Sequence, residues 1–345
     1  MRLYTCDRER FDVYAQWAVA YYQTVGIEVI LQTPREGQSC AEALAEYMEG
    51  DYPPTMFCIH TQQDLQKWQH LLFDMNGTAA AQQLYTSEFA MHSGGRMLAL
   101  PVAVDWFGYV YNAEKLAMAF SRDDLVDHAS MDYITKYITS QQIYPFAKPD
   151  FSDISDAGLA ALLRMAFDDE AQLRSVVDLY IGNSYNTADA MATFQQEKII
   201  FYPGSTACLE NALQLGIHKL ELLPMFAADR DAMTYFSSYF WGVNASGYSL
   251  DVVETLAFFS WLVISQNDQP APIDLLDLLS PYKDAAVADN ALEKLLRKYM
   301  QEESVVVRWD TRADYRDDRA DFCAALALYY KNPSDTTWAE VKKYL

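Results

Sequence analysis

The sequence predicts an α/β protein of two domains, and three observations carry that expectation. Its 345 residues are about twice the length of an average domain. Apolar residues make up 51% of the chain, enough for two sizeable cores. The first 77 residues alternate strand-like and helix-like segments in the order βαβαβα, which implies a largely parallel sheet with helices on its faces.

Residues 2–6 read as a short strand. Phe11, Tyr14, Trp17, Ala18, Tyr21 and Val25 then fall on one helical face, and Gly26 supplies a left-handed stop. "IEVILQ" reads as a second strand. "SCAEALAEYMEG" opens with a capping box, Ser39 with Glu42, and closes at Gly50. "TMFCIH" is a third strand, followed by a helix over "QQDLQKWQHLLFDMNG". "LPVAVDWFGYVYN" is an apolar strand that sets Asp105 beside Trp106, Phe107 and Tyr109, an unusual place for an acid.

The middle of the chain is more helical. "SRDDLVDHASMDYITKYITS", "SDAGLAALLRMAFDDEAQLRSVVDLYIG", "TADAMATFQQEK" and "STACLENALQLG" read as helices, with "IIFYPG" and "LELLPMF" as strands. "YFWGVNA" is a strand before a long helix from Ser249 to Ser265, and the tail is helical apart from "SVVVRW". No repeat, low-complexity segment or Gly/Ser linker divides the chain. Two domains without a linker imply that the chain crosses between them more than once.

The formal charge of -22, from 48 acidic against 26 basic residues, argues against nucleic acid or an anionic membrane surface as partner, since both need a positive field. Aromatic residues are 14% of the chain, including 24 Tyr and 7 Trp, a supply suited to flat polar ligands as well as to cores. The cysteines Cys6, Cys40, Cys58, Cys208 and Cys323 form no CxxC pair and no zinc-finger spacing. One bridge among them is possible, with at least one thiol left over. No apolar run is long enough to span a membrane, and the opening "MRLYTCDRER" is no signal peptide.

No catalytic signature appears. "GSTAC" lacks the second glycine of a nucleophile elbow, and there is no phosphate-binding glycine loop and no HExxH pair. "DRADYRDDRAD" lacks the glycine and terminal glutamate of a calcium loop and reads as a charged helical face. The expectation is a non-enzyme without metal or cofactor.

Four blocks carry a resemblance. Gly95, Leu100, Pro101, Asp105, Tyr111, Asn112 and Leu116 match a G-x4-LP-x3-acid-x5-YN-x3-L pattern. "FQQEKIIFYPGST", residues 194–206, "WGVNASGYSLDVVETLAFFSWLVIS" and the opening "LYTCDRERFDVYAQWAVAYYQTVGIEVILQ" match three further blocks in order and spacing. Together they resemble the extracellular solute-binding proteins of ABC importers, in the sugar-binding group that includes maltodextrin-binding protein. The chain departs from that pattern at Thr206, where a tryptophan is usual, at Glu197 in place of a glycine, and at Thr55 in place of an aspartate.

The resemblance implies a two-lobed α/β fold of the type II periplasmic-binding-protein kind, with ligand held in a cleft between lobes joined by crossing strands. The expected lobes are 1–107 plus 240–283, and 108–239 plus 284–345. It implies capture of a mono- or oligosaccharide and delivery to membrane permease subunits. The protein would be a monomer outside the cytoplasm, in the periplasm or lipid-anchored at the cell surface, its leader removed. Sugars offer hydroxyls to carboxylates and C–H faces to rings. The candidate ligand residues follow from the motif positions. Asp7 and Arg8 follow the first strand, although Asp7 is also a good N-cap. His60, Thr61 and Gln62 follow the third strand, at the edge where open α/β sheets bind ligands. Asp105, Trp106 and Tyr109 belong to the first crossing strand, and Trp241 to the second. Gly204 and Ser205 are expected to open a helix, and Arg308 with Trp309 to enter from the tail. Other readings remain: a peptide or polyamine as ligand, a sugar sensor for a membrane kinase, or a glycosidase, which would need two paired carboxylates.

Overall fold

The computed structural model describes residues 1–345 apart from 9, 61, 118–119, 121–127, 141–143, 148–169, 186–189, 206–219, 225–231, 266–270, 277–278, 285–290, 303, 310–318 and 345. In parts of some strands, among them 105–108, 203–205 and 304–309, the backbone alone is described. The chain divides into two compact units, Met1–Val104 with Ser237–Val287 and Trp309–Thr311, and Asp105–Phe236 with Ala288–Arg308 and Arg312–Leu345. Three of the crossings run inside strands, β5 (Arg96–Asn112), β10 (Ala232–Val243) and β11 (Ser304–Trp309).

The first unit is built on a sheet in the order β2-β1-β3-β10-β5-β4. β1 (Arg2–Tyr4) lies parallel to β2 (Ile30–Gln32) and β3 (Met56–Ile59), with Leu3 opposite Leu31 on one side and Met56 on the other. β10 runs antiparallel to β3, pairing Phe240 with Ile59 and Val243 with Met56. β4 (Met91–Ser93) turns into β5 through Gly94-Gly95, where Ser93 pairs with Arg96. Both glycines have positive φ, 59° and 78°, which a two-residue hairpin of this twist requires.

Helix α1 (Phe11–Val25) ends on Gly26 in the left-handed region, as its sequence implies. It buries Tyr14, Trp17 and Tyr21, whereas Phe11 and Val25 at the two ends of the expected stripe are exposed. Helix α2 (Cys40–Glu49) carries the complete Ser39–Glu42 capping box. Helix α3 (Gln62–Trp68) is shorter than its sequence pattern. The residues after it are drawn into tertiary pairing: Leu72 bridges Asn244, and the Phe73 N–H donates to Val243 O at 2.8 Å. The core holds Trp17 edge-on to Trp241 at 5.8 Å, with Tyr14 at 5.6 Å from the same indole. The Trp17 Nε1–H donates to Pro272 O at 2.7 Å, so the burial of its indole leaves no polar orphan. Short helix α4 (Ala79–Gln82) and the long helix α9 (Ser249–Val263) complete the described α-helices of this unit.

The second unit centres on the other half of β5. β8 (Phe201–Ser205) and β9 (Leu220–Pro224) flank it, both antiparallel, with Tyr109 opposite Pro203 and Leu223. Short α5 (Ala113–Leu116) follows β5 and is capped by the Asn112 side chain. Around this sheet lie α6 (His128–Ser140), α7 (Glu170–Asn183), α8 (Ala190–Gln195), α10 (Ala291–Glu302), α11 (Arg319–Lys331) and α12 (Asp335–Val341). β6 (Phe146–Ala147) pairs with β7 (Ser184–Tyr185), and β11 (Ser304–Trp309) occupies the tail strand expected from "SVVVRW". The core gathers Tyr109, Phe146, Tyr180 and Phe201 with Tyr329 and Trp338. The expected helix over "STACLENALQLG", residues 205–216, lies almost wholly outside the described residues.

Candidate functional site

In the first unit β1, β2 and β3 run the same way, so their carboxyl ends share one edge. Open parallel sheets bind ligands at that edge, because the loops leaving it deliver polar side chains side by side. Asp7 and Arg8 lie just beyond β1, and His60 and Gln62 just beyond β3, its neighbour in the sheet.

Asp7 is already engaged. Its carboxylate accepts the Arg10 N–H at 3.2 Å, the Arg10 guanidinium at 3.1 Å and the Tyr14 hydroxyl at 2.9 Å. The side chain is 6% exposed, so its first duty is to cap the turn into α1. The Tyr14 hydroxyl is pushed well above the usual phenol range, first by burial and then by the neighbouring Asp7 charge. It therefore remains a proton donor to Asp7 at any physiological pH. Arg8 is exposed, and one terminal nitrogen donates to Pro34 O and Arg35 O, both at 2.9 Å. Those two bonds hold the guanidinium in place and leave other N–H groups of its fork for a polar ligand. His60 and Gln62 are half-buried. The His60 backbone N–H donates to the Asp64 carboxylate at 3.2 Å, which ties the strand end to the start of α3.

The structure adds sulfur to this edge. Cys6 and Cys40 form a disulfide, while Cys58 is a buried free thiol. Burial pushes the Cys58 thiol up to about 12, against the pull of a hydrogen bond from the Cys6 backbone. The ligand atoms of Cys6, Cys58 and His60 all lie within 4.8 Å of one another. The sequence signal for this cluster is Cys58-x-His60: alternate residues of a strand point to the same side. Spacing rules written for zinc fingers pass over it.

The remaining expected ligand residues divide three ways. Tyr109 is 0% exposed in the core of the second unit, with its ring 5.6 Å from Phe146 and its hydroxyl accepting from Tyr180 at 3.3 Å. Trp241 is 1% exposed and enclosed by Tyr14, Trp17 and Phe259. Neither ring offers a face to a ligand, which corrects both expectations: a side chain on a crossing strand is first a core side chain. Gly204 and Ser205 end β8, opposite Gly108 and Phe107 of β5, and the helix expected to open after them falls outside the described residues. Asp105 and Trp106 lie in β5, and Arg308 and Trp309 in β11, but their side chains fall outside the described part of the chain, as does Thr61 altogether.

No family model matches the chain. No curated protein matches it either. Solved structures do. The apo form of RafE from Streptococcus pneumoniae superposes with a TM-score of 0.63 at 10% identity, covering 100% of this chain and 96% of that one. The fold is that of the extracellular solute-binding proteins. A family 1 extracellular solute-binding protein from Bifidobacterium longum subsp. infantis gives 0.66 at 14% identity, over 100% of this chain and 97% of that one. The binding protein MsmE of Bacillus subtilis gives 0.67 at 16% identity, over 99% and 96%. The solute-binding fold thus spans the whole described chain, as the four motif blocks imply. No described helix is long and apolar enough to cross a membrane.

Proposed function

We propose that the protein is a carbohydrate receptor of the solute-binding kind, which captures a mono- or oligosaccharide and hands it to a membrane permease. The observation that carries this reading is the end-to-end likeness to sugar-binding proteins. RafE has been solved with raffinose, at a TM-score of 0.58 and 12% identity to this chain. Another similar protein, AcbH, prefers β-D-galactopyranose, and a further one binds chitin oligosaccharide. The polar edge after β1 and β3 supports the reading, because Arg8, His60 and Gln62 are groups that hydrogen-bond hydroxyls. With Tyr109 and Trp241 assigned to cores, the proposed ligand set is Asp7, Arg8, His60, Thr61, Gln62, Asp105, Trp106, Arg308 and Trp309, with the strand end at Gly204-Ser205. Trp106 and Trp309 are the stacking rings of this set, and Asp105 its main acceptor.

The reading is of a receptor without catalysis. The Cys6–Cys40 disulfide supports a place outside the reducing cytoplasm. The test is a thermal-shift screen against raffinose, galactose, maltodextrins, chitin oligosaccharides, polyamines and short peptides. A sugar present at a hundred times its dissociation constant should stabilise the protein by roughly 2.7 kcal/mol. Stabilisation by a polyamine or peptide alone would replace the carbohydrate with that solute.

A further inference from the structure

The group of Cys6, Cys40, Cys58 and His60 has the geometry of a second site, which shares only His60 with the proposed sugar set. β1 and β3 are parallel neighbours, in register at Leu3 with Met56 and Tyr4 with Phe57. That register brings the chain just past β1, at Cys6, against the end of β3, where Cys58 and His60 project to one side. Their ligand atoms lie within 4.8 Å of one another. In a tetrahedral zinc centre with Zn–S near 2.3 Å and Zn–N near 2.0 Å, neighbouring ligand atoms stand about 3.3–3.8 Å apart. The cluster therefore needs a contraction of about 1–1.5 Å at most, within the reach of a side-chain rotation. A fourth ligand is covalently at hand, because the Cys40 sulfur is bonded to that of Cys6. Two carboxylates stand beside the group. Asp7 follows Cys6 in the chain, and Asp64 accepts the His60 backbone N–H at 3.2 Å. Three sulfurs and an imidazole, from the buried Cys58 to the exposed Cys40, suit a thiophilic d10 cation.

We propose that reduction of the Cys6–Cys40 disulfide turns this edge into a Cys3His site for Zn2+, so that the disulfide and the metal centre are alternative states of one group. An external dithiol supplies two electrons and two protons and becomes a disulfide itself. The S–S bond breaks, and Cys6 and Cys40 become thiols. Zn2+ then takes the thiolates of Cys6, Cys40 and Cys58 and one nitrogen of His60, and the three thiol protons pass to solvent. While Cys6 is bonded to Cys40 it has no thiolate to give, and the site is closed to metal. The site shares His60 with the proposed sugar set but does not rest on that reading, since metal binding by the reduced chain is measured directly.

The test uses the full chain, oxidised or reduced with a phosphine, and titrates Zn2+ in competition with a chromophoric chelator. Co2+ serves as a spectroscopic reporter of thiolate ligation. The reduced protein should bind one ion per chain with a thiolate-to-cobalt charge-transfer band. Oxidised protein, and the reduced variants Cys58→Ser and His60→Gln, should bind more than about 100-fold more weakly, beyond the usual loss for an outer-shell partner. Cys323→Ser should bind like the unsubstituted chain. If Cys58→Ser does not fold, protection from alkylation in the unsubstituted protein decides: Zn2+ should shield Cys6, Cys40 and Cys58 together. Equal affinity in both redox states, loss of binding in Cys323→Ser, or unchanged alkylation of Cys58 would each overturn the proposal.

Discussion

The two units deliver side chains in opposite ways. In the first, the parallel strands β1 and β3 stop at one edge, and the residues just beyond them carry reactive or polar groups: Cys6, Asp7, Arg8, His60. In the second, β8 and β9 run antiparallel to β5 on either side, so successive strand ends point opposite ways and these three strands share no carboxyl edge. Its rings turn inward instead, as Tyr109 and Tyr111 do. The difference teaches that Tyr109 and Trp241, although they lie on strands common to both units, belong to the core that each strand has entered. A polar residue one step past a parallel strand belongs to the surface where ligands arrive.

The broadest way to strain both units at once is alkaline pH. Burial raises the hydroxyl pKa of Tyr4, Tyr14 and Tyr282 in the first unit and of Tyr109 in the second. In the unfolded chain each ionises near pH 10, whereas the folded protein keeps each protonated. Above pH 10 the unfolded state binds fewer protons, so stability is complete below that pH and falls as pH rises. Each tyrosine should remove about 1.4 kcal/mol per pH unit, and the four together about 5 kcal/mol. Urea unfolding at pH 8, 10 and 11 checks this. A midpoint that holds steady from pH 10 to 11 would mean the phenols titrate freely.

Core substitutions separate packing from binding. Trp241→Ala should cost about 3–5 kcal/mol by emptying the space between Tyr14, Trp17 and Phe259. Ligand affinity of the folded fraction should stay within about twofold, since a change under about 0.5 kcal/mol is what independent sites give. A fall in affinity without a fall in melting temperature would return Trp241 to the ligand set.

A smaller effect is expected on the same strand. A Cβ at Gly242 would stand 2.3 Å from Leu72 Cδ2 and 3.2 Å from the Leu98 carbonyl oxygen. Leu72 is itself buried, so it has little room to retreat. Gly242→Ala should therefore destabilise the protein by about 1–3 kcal/mol through overpacking, measured by denaturant unfolding.

The smallest effect belongs to the second unit's surface. Arg174 on α7 donates to Asp335 at 2.7 Å and to the Tyr329 hydroxyl at 3.3 Å, with its guanidinium 5.6 Å above the Trp338 ring. The Asp335 side chain is 92% exposed, so water competes for the pair. Arg174→Met should cost no more than about 1 kcal/mol, and part of that loss should appear already in roughly 0.5 M salt. A loss above that figure would make this network a true clasp between α7 and α12.

Much of the first unit was legible because its instructions are local. The Ser39–Glu42 box, Gly26 and the three alternating strands each act within a few residues, and each appears where the sequence puts it. The end of α3 was not legible, because the pull on Leu72 and Phe73 comes from residues 243–244, far along the chain. The core of the second unit was hidden for the same reason, since Tyr109, Phe201 and Trp338 meet only in three dimensions. At the candidate site, the edge after β1 and β3 could be read from strand order alone. Tyr109 and Trp241 were misread because a motif position says which strand a ring is on, not which way the strand turns it. The cluster of Cys6, Cys58 and His60 was missed because it depends on the pairing of β1 with β3.

The central proposal is that this chain captures a carbohydrate with Trp106 and the polar side chains past β1 and β3, and not with the buried rings Tyr109 and Trp241. Calorimetric titration of the sugar that stabilises the protein most, into the unsubstituted chain, Trp106→Ala and Trp241→Ala, tests it most directly. The account predicts saturable binding to the unsubstituted chain and a loss of about 1.5–3 kcal/mol in Trp106→Ala, the value of one buried aromatic face. It predicts unchanged affinity for the folded fraction of Trp241→Ala. Absence of saturable heat with any sugar, or a loss confined to Trp241→Ala, would contradict it.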